Sequence, residues 1–147
     1  MQLWVTAASQ VEVLDEPDPS GILLPPHCKT RWGDGLCPGF YRVNGDQKDL
    51  CLGDPRRYLT WRDRLLGQVY LYEQDWKTWR WRWPFAELAD SSFPLLYGPR
   101  TCQRLVEDFR TYAGRWNFTP SGLEIYQELL SAYTIGSKQG LVFFQLF

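Results

Sequence analysis

The sequence contains a single histidine, His27, among its 147 residues. One imidazole excludes a metal site built from several histidines and leaves one candidate for histidine-based acid–base catalysis. A glycine-rich phosphate loop is also missing, because Gly33, Gly35 and Gly39 are not followed by Lys-Ser or Lys-Thr. We therefore expect no cofactor. An enzyme that uses His27 or a cysteine nucleophile ranks third among the functions that the sequence allows.

Long hydrophobic runs are missing as well. No apolar stretch approaches the roughly 20 residues that a membrane-spanning helix requires. Residues 1–10 lack the basic start and the continuous apolar run of a secretory signal peptide. These absences predict a soluble protein without a membrane partner, cytoplasmic or otherwise intracellular.

Cysteine is sparse, and the four residues are expected to be free thiols in a reducing compartment. A structural zinc site is the alternative, since His27, Cys28, Cys37 and Cys51 fall in a turn-rich region. Their spacing argues against zinc, because there is no Cys-x2-Cys pair and adjacent His27 and Cys28 would rarely ligate one ion. Reduced, partly buried thiols are the stronger interpretation, and we predict no metal.

Positive charge is absent from residues 1–28, which contain Glu12, Asp15, Glu16 and Asp18 but no Lys or Arg. The net charge of the chain is -1, so the −4 of this segment leaves +3 for the remainder. Residues 15–26 also contain four prolines and predict an acidic, proline-rich loop. A near-neutral chain has no strong overall field to attract nucleic acid or membranes.

Aromatic residues and arginine are plentiful. Eight Trp, eight Tyr and eight Phe make the chain 16% aromatic, and Arg outnumbers Lys by twelve to four. This is more aromatic area than a core of this size requires. Because Trp, Tyr and Arg dominate the binding energy of protein interfaces, the excess predicts that some rings meet a partner at the surface.

The densest aromatic stretch, residues 68–84, reads QVYLYEQDWKTWRWRWP. Its residues alternate, with Val69 and Leu71 on one side and Trp79, Trp81 and Trp83 sharing a face in the second half. Successive side chains on a strand point to opposite faces, so the alternation predicts a β-hairpin with one aromatic face.

The remaining pattern predicts strands, two helices and a final strand. Residues 2–6 and 11–14 are expected to be strands, and 40–43 with 49–52 are expected to form a hairpin around an Asn44-Gly45 turn. Residues 61–66 predict a single helical turn.

The C-terminal third predicts helices at 99–113 and 119–133, with a buried strand at 141–147. Pro99 and Thr119-Pro120 suit helix starts, and Gly114 suits a helix end. The periodicity places these side chains inward: Leu105, Val106, Phe109, Tyr112, Ala113, Leu123, Tyr126, Leu129, Leu130 and Tyr133. We predict a single α+β domain over residues 1–147, with a mostly antiparallel sheet, an aromatic-rich hairpin, and two C-terminal helices covering one face.

For function, the sequence favours a non-enzymatic protein-binding module, such as an inhibitor or an accessory subunit, whose protein partner it does not identify. The predicted contact surface consists of exposed Trp and Arg side chains. Its members are Arg56, Arg57, Trp61, Arg62, Arg64, Trp76, Trp79, Arg80, Trp81 and Arg82.

The alternative function is binding of single-stranded nucleic acid through residues 54–83, where Arg is interleaved with Trp. Its weakness is geometric, because Arg80 and Arg82 would face away from Trp79, Trp81 and Trp83. A homodimer through the C-terminal strand is also considered, since an exposed strand of this composition would aggregate unless it were paired.

Overall fold

The computed structural model of the protein describes residues 1–72 and 83–147. Among the described residues, six strands are followed by a helix, a further strand, two helices and a final strand, an α+β arrangement that confirms the predicted fold class. The strands are β1 (Leu3–Ala8), β2 (Val11–Leu14), β3 (Ile22–Leu24), β4 (Lys29–Trp32), β5 (Gly39–Val43), β6 (Gln47–Gly53), β7 (Leu95–Tyr97) and β8 (Leu141–Leu146). The α-helices are α1 (Pro55–Tyr72), α2 (Pro99–Thr111) and α3 (Pro120–Gly136), and a short 3-10 helix spans Ala86–Ala89.

The strands form two sheets that are mostly antiparallel. The larger sheet has the order β4-β7-β8-β1-β6, and the smaller has the order β2-β5-β3. Only the β4–β7 pair of the described strands is parallel. The predicted loop 15–26 contains β3, in which Ile22 and Leu24 are buried and pair with β5.

A sharp corner carries the chain from one sheet to the other. β1 pairs with β6 while β2 pairs with β5. Residues 3–14 and residues 39–53 therefore both bend where the chain passes from one sheet to the other. The Asp46 amide donates to Ser9 Oγ at 2.7 Å, and the Gly45 amide donates to the Ser9 carbonyl at 3.2 Å. A Cβ atom on Gly45 would lie 2.3 Å from Ser9 Oγ and 3.1 Å from the Ser9 carbonyl oxygen, so a larger residue would displace the Ser9 side chain from its hydrogen bond.

The predicted hairpin around Asn44-Gly45 is wrong, because this corner separates its two strands. β5 and β6 follow one another in the chain but do not pair, because each takes a partner from the N-terminal segment. The residues with positive φ in the described chain do not include Gly45. Gly45 therefore allows a close approach to Ser9 and does not supply the positive φ of a tight turn.

The prediction for the aromatic stretch is wrong in its first half. Residues 68–72 are the end of α1, an 18-residue helix, where the sequence predicted a strand. Tyr58, Trp61, Leu65 and Val69 are all buried, and their spacing of three and four residues is helical. The alternation at Val69 is therefore coincidental. The second half of the predicted hairpin, with Trp76, Trp79 and Trp81, lies outside the described residues.

Both C-terminal helices begin where the sequence predicted. Pro99 and Pro120 occupy first-turn positions, and Thr119 Oγ1 accepts the Gly122 amide at 3.2 Å as an N-cap. In α2 the buried stripe stops at Phe109, and the predicted inward residue Ala113 is exposed. The prediction for Leu123 is wrong, because this side chain is 47% exposed.

The larger core contains side chains from all three helices and from the larger sheet. Its rings contact one another in series: Tyr58 meets Phe144, Phe144 meets Tyr97, Tyr97 meets Tyr133, and Tyr133 meets Phe109, with centroids 5.4–5.8 Å apart. Much of the aromatic excess thus lies in the interior of the protein. That the two C-terminal helices cover one face of the sheet stays a prediction.

The C-terminal strand is an interior strand. β8 pairs with β7 on one edge and with β1 on the other, and residues 141–144 are buried. Both edges are therefore occupied within the chain. A homodimer through pairing of this strand, as considered from the sequence, is incompatible with the fold.

Candidate functional site

A groove with a volume of about 390 Å³ runs between the first half of α1 and the first turn of α3. We call it the arginine groove. Its principal lining residues are Arg56, Arg57, Trp61, Arg64, Phe118 and Thr119. A volume of this size lies within the range of ordinary ligand pockets, and it holds one or two side chains of a bound segment.

The α1 wall of the groove is a single helical stripe. Arg57, Thr60, Trp61 and Arg64 all line the groove, and they occupy positions i, i+3, i+4 and i+7. With a rise of about 1.5 Å per residue, the Cα atoms of Arg57 and Arg64 lie about 10 Å apart along the axis. Their flexible side chains can therefore converge on one anionic group or bind two.

Trp61 forms the floor of the groove and joins the two helices. Its side chain is 5% exposed, and its indole Nε1 donates to the carbonyl oxygen of Gly122 at 2.9 Å. The ring stacks on Phe118 with a centroid distance of 5.8 Å and on Tyr58 at 5.9 Å. Trp61 was predicted as an exposed contact residue, but the structure makes it a buried structural residue.

The three groove arginines differ in how they are paired. Arg56 Nη2 and Nε donate to the Asp54 carboxylate at 2.7 and 3.1 Å, and the Arg56 amide adds a bond of 2.9 Å. These hydrogen bonds lower the pKa of Asp54 to about 2, so this carboxylate stays ionised at neutral pH. Arg57 and Arg64 form no ion pair with any carboxylate of the described chain.

Arg62, the fourth predicted arginine of α1, lies outside the groove. Its guanidinium donates to Asp63 Oδ1 at 2.8 Å and to the carbonyl oxygen of Ala89 at 3.3 Å. The side chain is only 11% exposed. Arg62 therefore links α1 to the 3-10 helix and is unsuited to contact a partner.

The structure thus divides the predicted contact set. Arg56, Arg57 and Arg64 are brought together with Trp61, while Arg62 is separate. The positions of Trp76, Trp79, Arg80, Trp81 and Arg82 lie outside the described residues. Sequence reasoning missed the opposite wall, which is built from Phe118, Thr119, Ser121, Gly122 and Ile125.

The Thr119-Pro120 helix start was the signal that could have located this wall. The N-terminus of a helix carries partial positive charge and unsatisfied amide groups, and the first turn of α3 lines the groove. The positive end of α3 therefore adds to the charge of Arg57 and Arg64.

The residues proposed for catalysis or metal binding are dispersed. His27 is exposed after β3, and Cys37 and Cys51 are exposed free thiols. Burial raises the pKa of the Cys28 thiol to about 11, which keeps it protonated and poorly nucleophilic. Among the described residues, no three His, Cys, Asp or Glu side chains are grouped to hold a metal ion.

The chain gives no match to protein-family models, to curated proteins or to solved structures. In the described part of the chain, none of the helices combines the length and the apolar character needed to cross a membrane. The arginine groove is therefore the feature of the described chain from which a function can be inferred.

Proposed function

We propose that the protein is a non-enzymatic binding module that receives an acidic segment of a partner protein in the arginine groove. The observation that carries the proposal is the pair of arginines, Arg57 and Arg64, which line a concave site without carboxylate partners among the described residues. Guanidinium groups form paired, charge-assisted hydrogen bonds with carboxylates, so they are suited to bind Asp or Glu of a partner.

The apolar floor of the groove favours a peptide ligand that carries a hydrophobic side chain beside its acidic one. Trp61, Phe118 and Ile125 line the groove together with the arginines and give it an apolar part. Protein interfaces commonly combine an apolar centre with a polar rim, and the groove reproduces this pattern on a small scale.

Binding of single-stranded nucleic acid has weaker support. Base stacking requires an accessible aromatic face, but Trp61 is stacked on Phe118 and Tyr58 and is 5% exposed. The arginines would still attract phosphates, so the experiment must separate the two ligands.

A photo-crosslinking amino acid in place of Thr60, an exposed residue that lines the groove, provides the test. The protein is irradiated in lysate of its source cells, with and without nuclease, and adducts are identified by mass spectrometry. The test variant is Arg57→Glu/Arg64→Glu. The matched control is Arg100→Glu/Arg110→Glu, which makes the same charge change at two exposed positions of α2.

We expect a nuclease-resistant protein adduct that is lost in the groove variant and kept in the control variant. Circular dichroism establishes that both variants are folded. An adduct that disappears with nuclease would replace this function with nucleic-acid binding, and its affinity should then fall steeply with salt. A protein adduct unaffected by Arg57→Glu/Arg64→Glu, or no adduct at all, would refute the proposal.

A further inference from the structure

The smaller sheet presents an acidic and apolar surface at the end of β2. Leu14 and Leu23 both pair with Phe40 of the central strand, so the three side chains form one row across the sheet. Leu23 is 53% exposed, and Leu14 and Phe40 are partly exposed. Asp15 and Glu16 follow Leu14 directly and are exposed. We call these five residues the acidic edge.

The carboxylates of Asp15 and Glu16 have no hydrogen-bond or ion-pair partner among the described residues. Neighbouring acids are already engaged: Asp18 accepts from Ser20 at 2.7 Å, and Glu12 accepts from Asn44 at 3.2 Å. Residues 1–28 contain no Lys or Arg, and no basic side chain elsewhere in the described chain forms an ion pair with Asp15 or Glu16.

The acidic edge and the arginine groove are complementary. Each combines two charged groups, one set negative and one positive, with apolar side chains beside them. Placing the carboxylates of Asp15 and Glu16 against the guanidinium groups of Arg57 and Arg64 would satisfy both sets of charges at once, and it would bring Leu23 towards the apolar lining of the groove.

The two surfaces are supported by different cores within one molecule. Ile22, Leu24 and Tyr41 of the smaller sheet belong to a second hydrophobic cluster, whereas the helices that form the groove pack in the larger core. No described hydrogen bond or salt bridge joins Asp15 or Glu16 to Arg57 or Arg64. One copy therefore leaves both surfaces open, while a second copy can supply the missing charge to each.

We propose that the protein self-associates, with the acidic edge of one copy seated in the arginine groove of another. This inference rests on the proposed function, because it names a second copy of the chain as an occupant of the same groove. The contact joins two different surfaces, so successive copies form a closed ring or a chain. Self-association hides the groove from a different protein partner, and dilution exposes it again.

Sedimentation velocity over a wide concentration range, at low and high salt, measures the association directly. We expect the sedimentation coefficient of the unmodified protein to rise with concentration at low salt and to rise less at high salt. Arg57→Glu/Arg64→Glu and, separately, Asp15→Arg/Glu16→Arg should each remain monomeric, because each variant places like charges opposite one another. The control Arg100→Glu/Arg110→Glu should associate as the unmodified protein does.

An equimolar mixture of the two charge-reversed variants provides the decisive measurement. The acidic groove of the first meets the basic edge of the second, and the two remaining surfaces keep their original charges. We expect the mixture to associate although neither component does, which loss of folding cannot imitate.

The inference is overturned if the unmodified protein is monomeric throughout, if either variant associates like the unmodified protein, or if the mixture stays monomeric. These results are separate from the crosslinking at Thr60. Capture of a different protein by a strictly monomeric chain would retain the proposed function and reject self-association.

Discussion

Asp34 acts as an N-cap for α2, a helix that starts 65 residues further along the chain. Its replacement tests whether this distant contact stabilises the helix. The natural cap position of α2 is Gly98, which has no side chain to accept a hydrogen bond. Asp34 Oδ2 instead accepts the Thr101 amide at 2.7 Å, and Oδ1 lies 3.2 Å from Thr101 Oγ1. Asp34 has a φ of 51°, in the left-handed region.

Three substitutions at Asp34 separate the contributions of the capping hydrogen bond, the negative charge and the left-handed backbone. A capping side chain is worth about 1 kcal/mol of unfolding free energy, and negative charge at a helix N-terminus adds about 0.5 kcal/mol. Asp34→Asn retains the oxygen acceptor and should cost about 0.5 kcal/mol. Asp34→Ala loses both contributions and adopts left-handed backbone less readily than Asp, for a total cost of about 2 kcal/mol. Asp34→Gly relieves the backbone and should cost about 1 kcal/mol.

Urea unfolding followed by far-ultraviolet circular dichroism measures these differences. The slope of the free energy against urea should be unchanged, because the surface exposed on unfolding is the same. In a chain of this size, the melting temperature of Asp34→Ala should fall by about 6 °C. If Asp34→Ala is as stable as the unmodified protein, Asp34 does not stabilise α2. If Asp34→Asn is as destabilising as Asp34→Ala, the side-chain oxygen is not the capping group.

Three further measurements test other parts of the structure. Gly67→Ala in the interior of α1 should raise the unfolding free energy by about 0.5–1 kcal/mol in urea titrations, because an added Cβ meets nothing within 4 Å; a loss of stability would contradict the helix. Gly140→Ala should abolish or severely impair folding, since its Cβ would lie 1.8 Å from the carbonyl oxygen of Ala8, and a normal thermal melt would contradict that contact. Iodoacetamide at pH 8 should alkylate exposed Cys37 well before buried Cys28, whose pKa is raised to about 11, as measured by peptide mass spectrometry. Labelling of Cys28 should accelerate as the pH rises through this pKa, and equal rates at pH 8 would contradict its burial.

Elements with local signals were predictable from the sequence. α2 and α3 combine helical periodicity with proline at the start, and Thr119 supplies a side-chain cap, so their beginnings were predicted to within one residue. β2 was also correct at both ends, because its composition is typical of a strand.

Elements that depend on distant partners were not predictable. The Asn44-Gly45 pair resembles a tight turn, but the corner at Ser9 determines its conformation, and nothing near Gly45 in the sequence reveals that contact. α1 was missed for a different reason. Its exposed face carries arginine and Gly67, and residues 68–72 alternate as a strand would, so the sequence predicted only a single helical turn at 61–66.

The candidate site shows the same division. Arg56, Arg57 and Arg64 were identified from composition, because guanidinium groups suit recognition surfaces wherever they are exposed. Their concave setting depends on Gly122, which accepts a hydrogen bond from Trp61 across 61 positions of sequence. Single-sequence patterns do not encode such a pairing, so the opposite wall of the groove required the fold.

The interior position of β8 has a consequence for synthesis on the ribosome. β1 emerges first and β7 later, yet both lie beside a strand that ends at Leu146. Until that strand emerges, the larger sheet lacks its centre, and the edges of β1 and β7 that later receive it are unprotected. Such edges invite pairing with other nascent chains. The larger sheet therefore closes only when β8 pairs with both β1 and β7, and these two edges need protection until then.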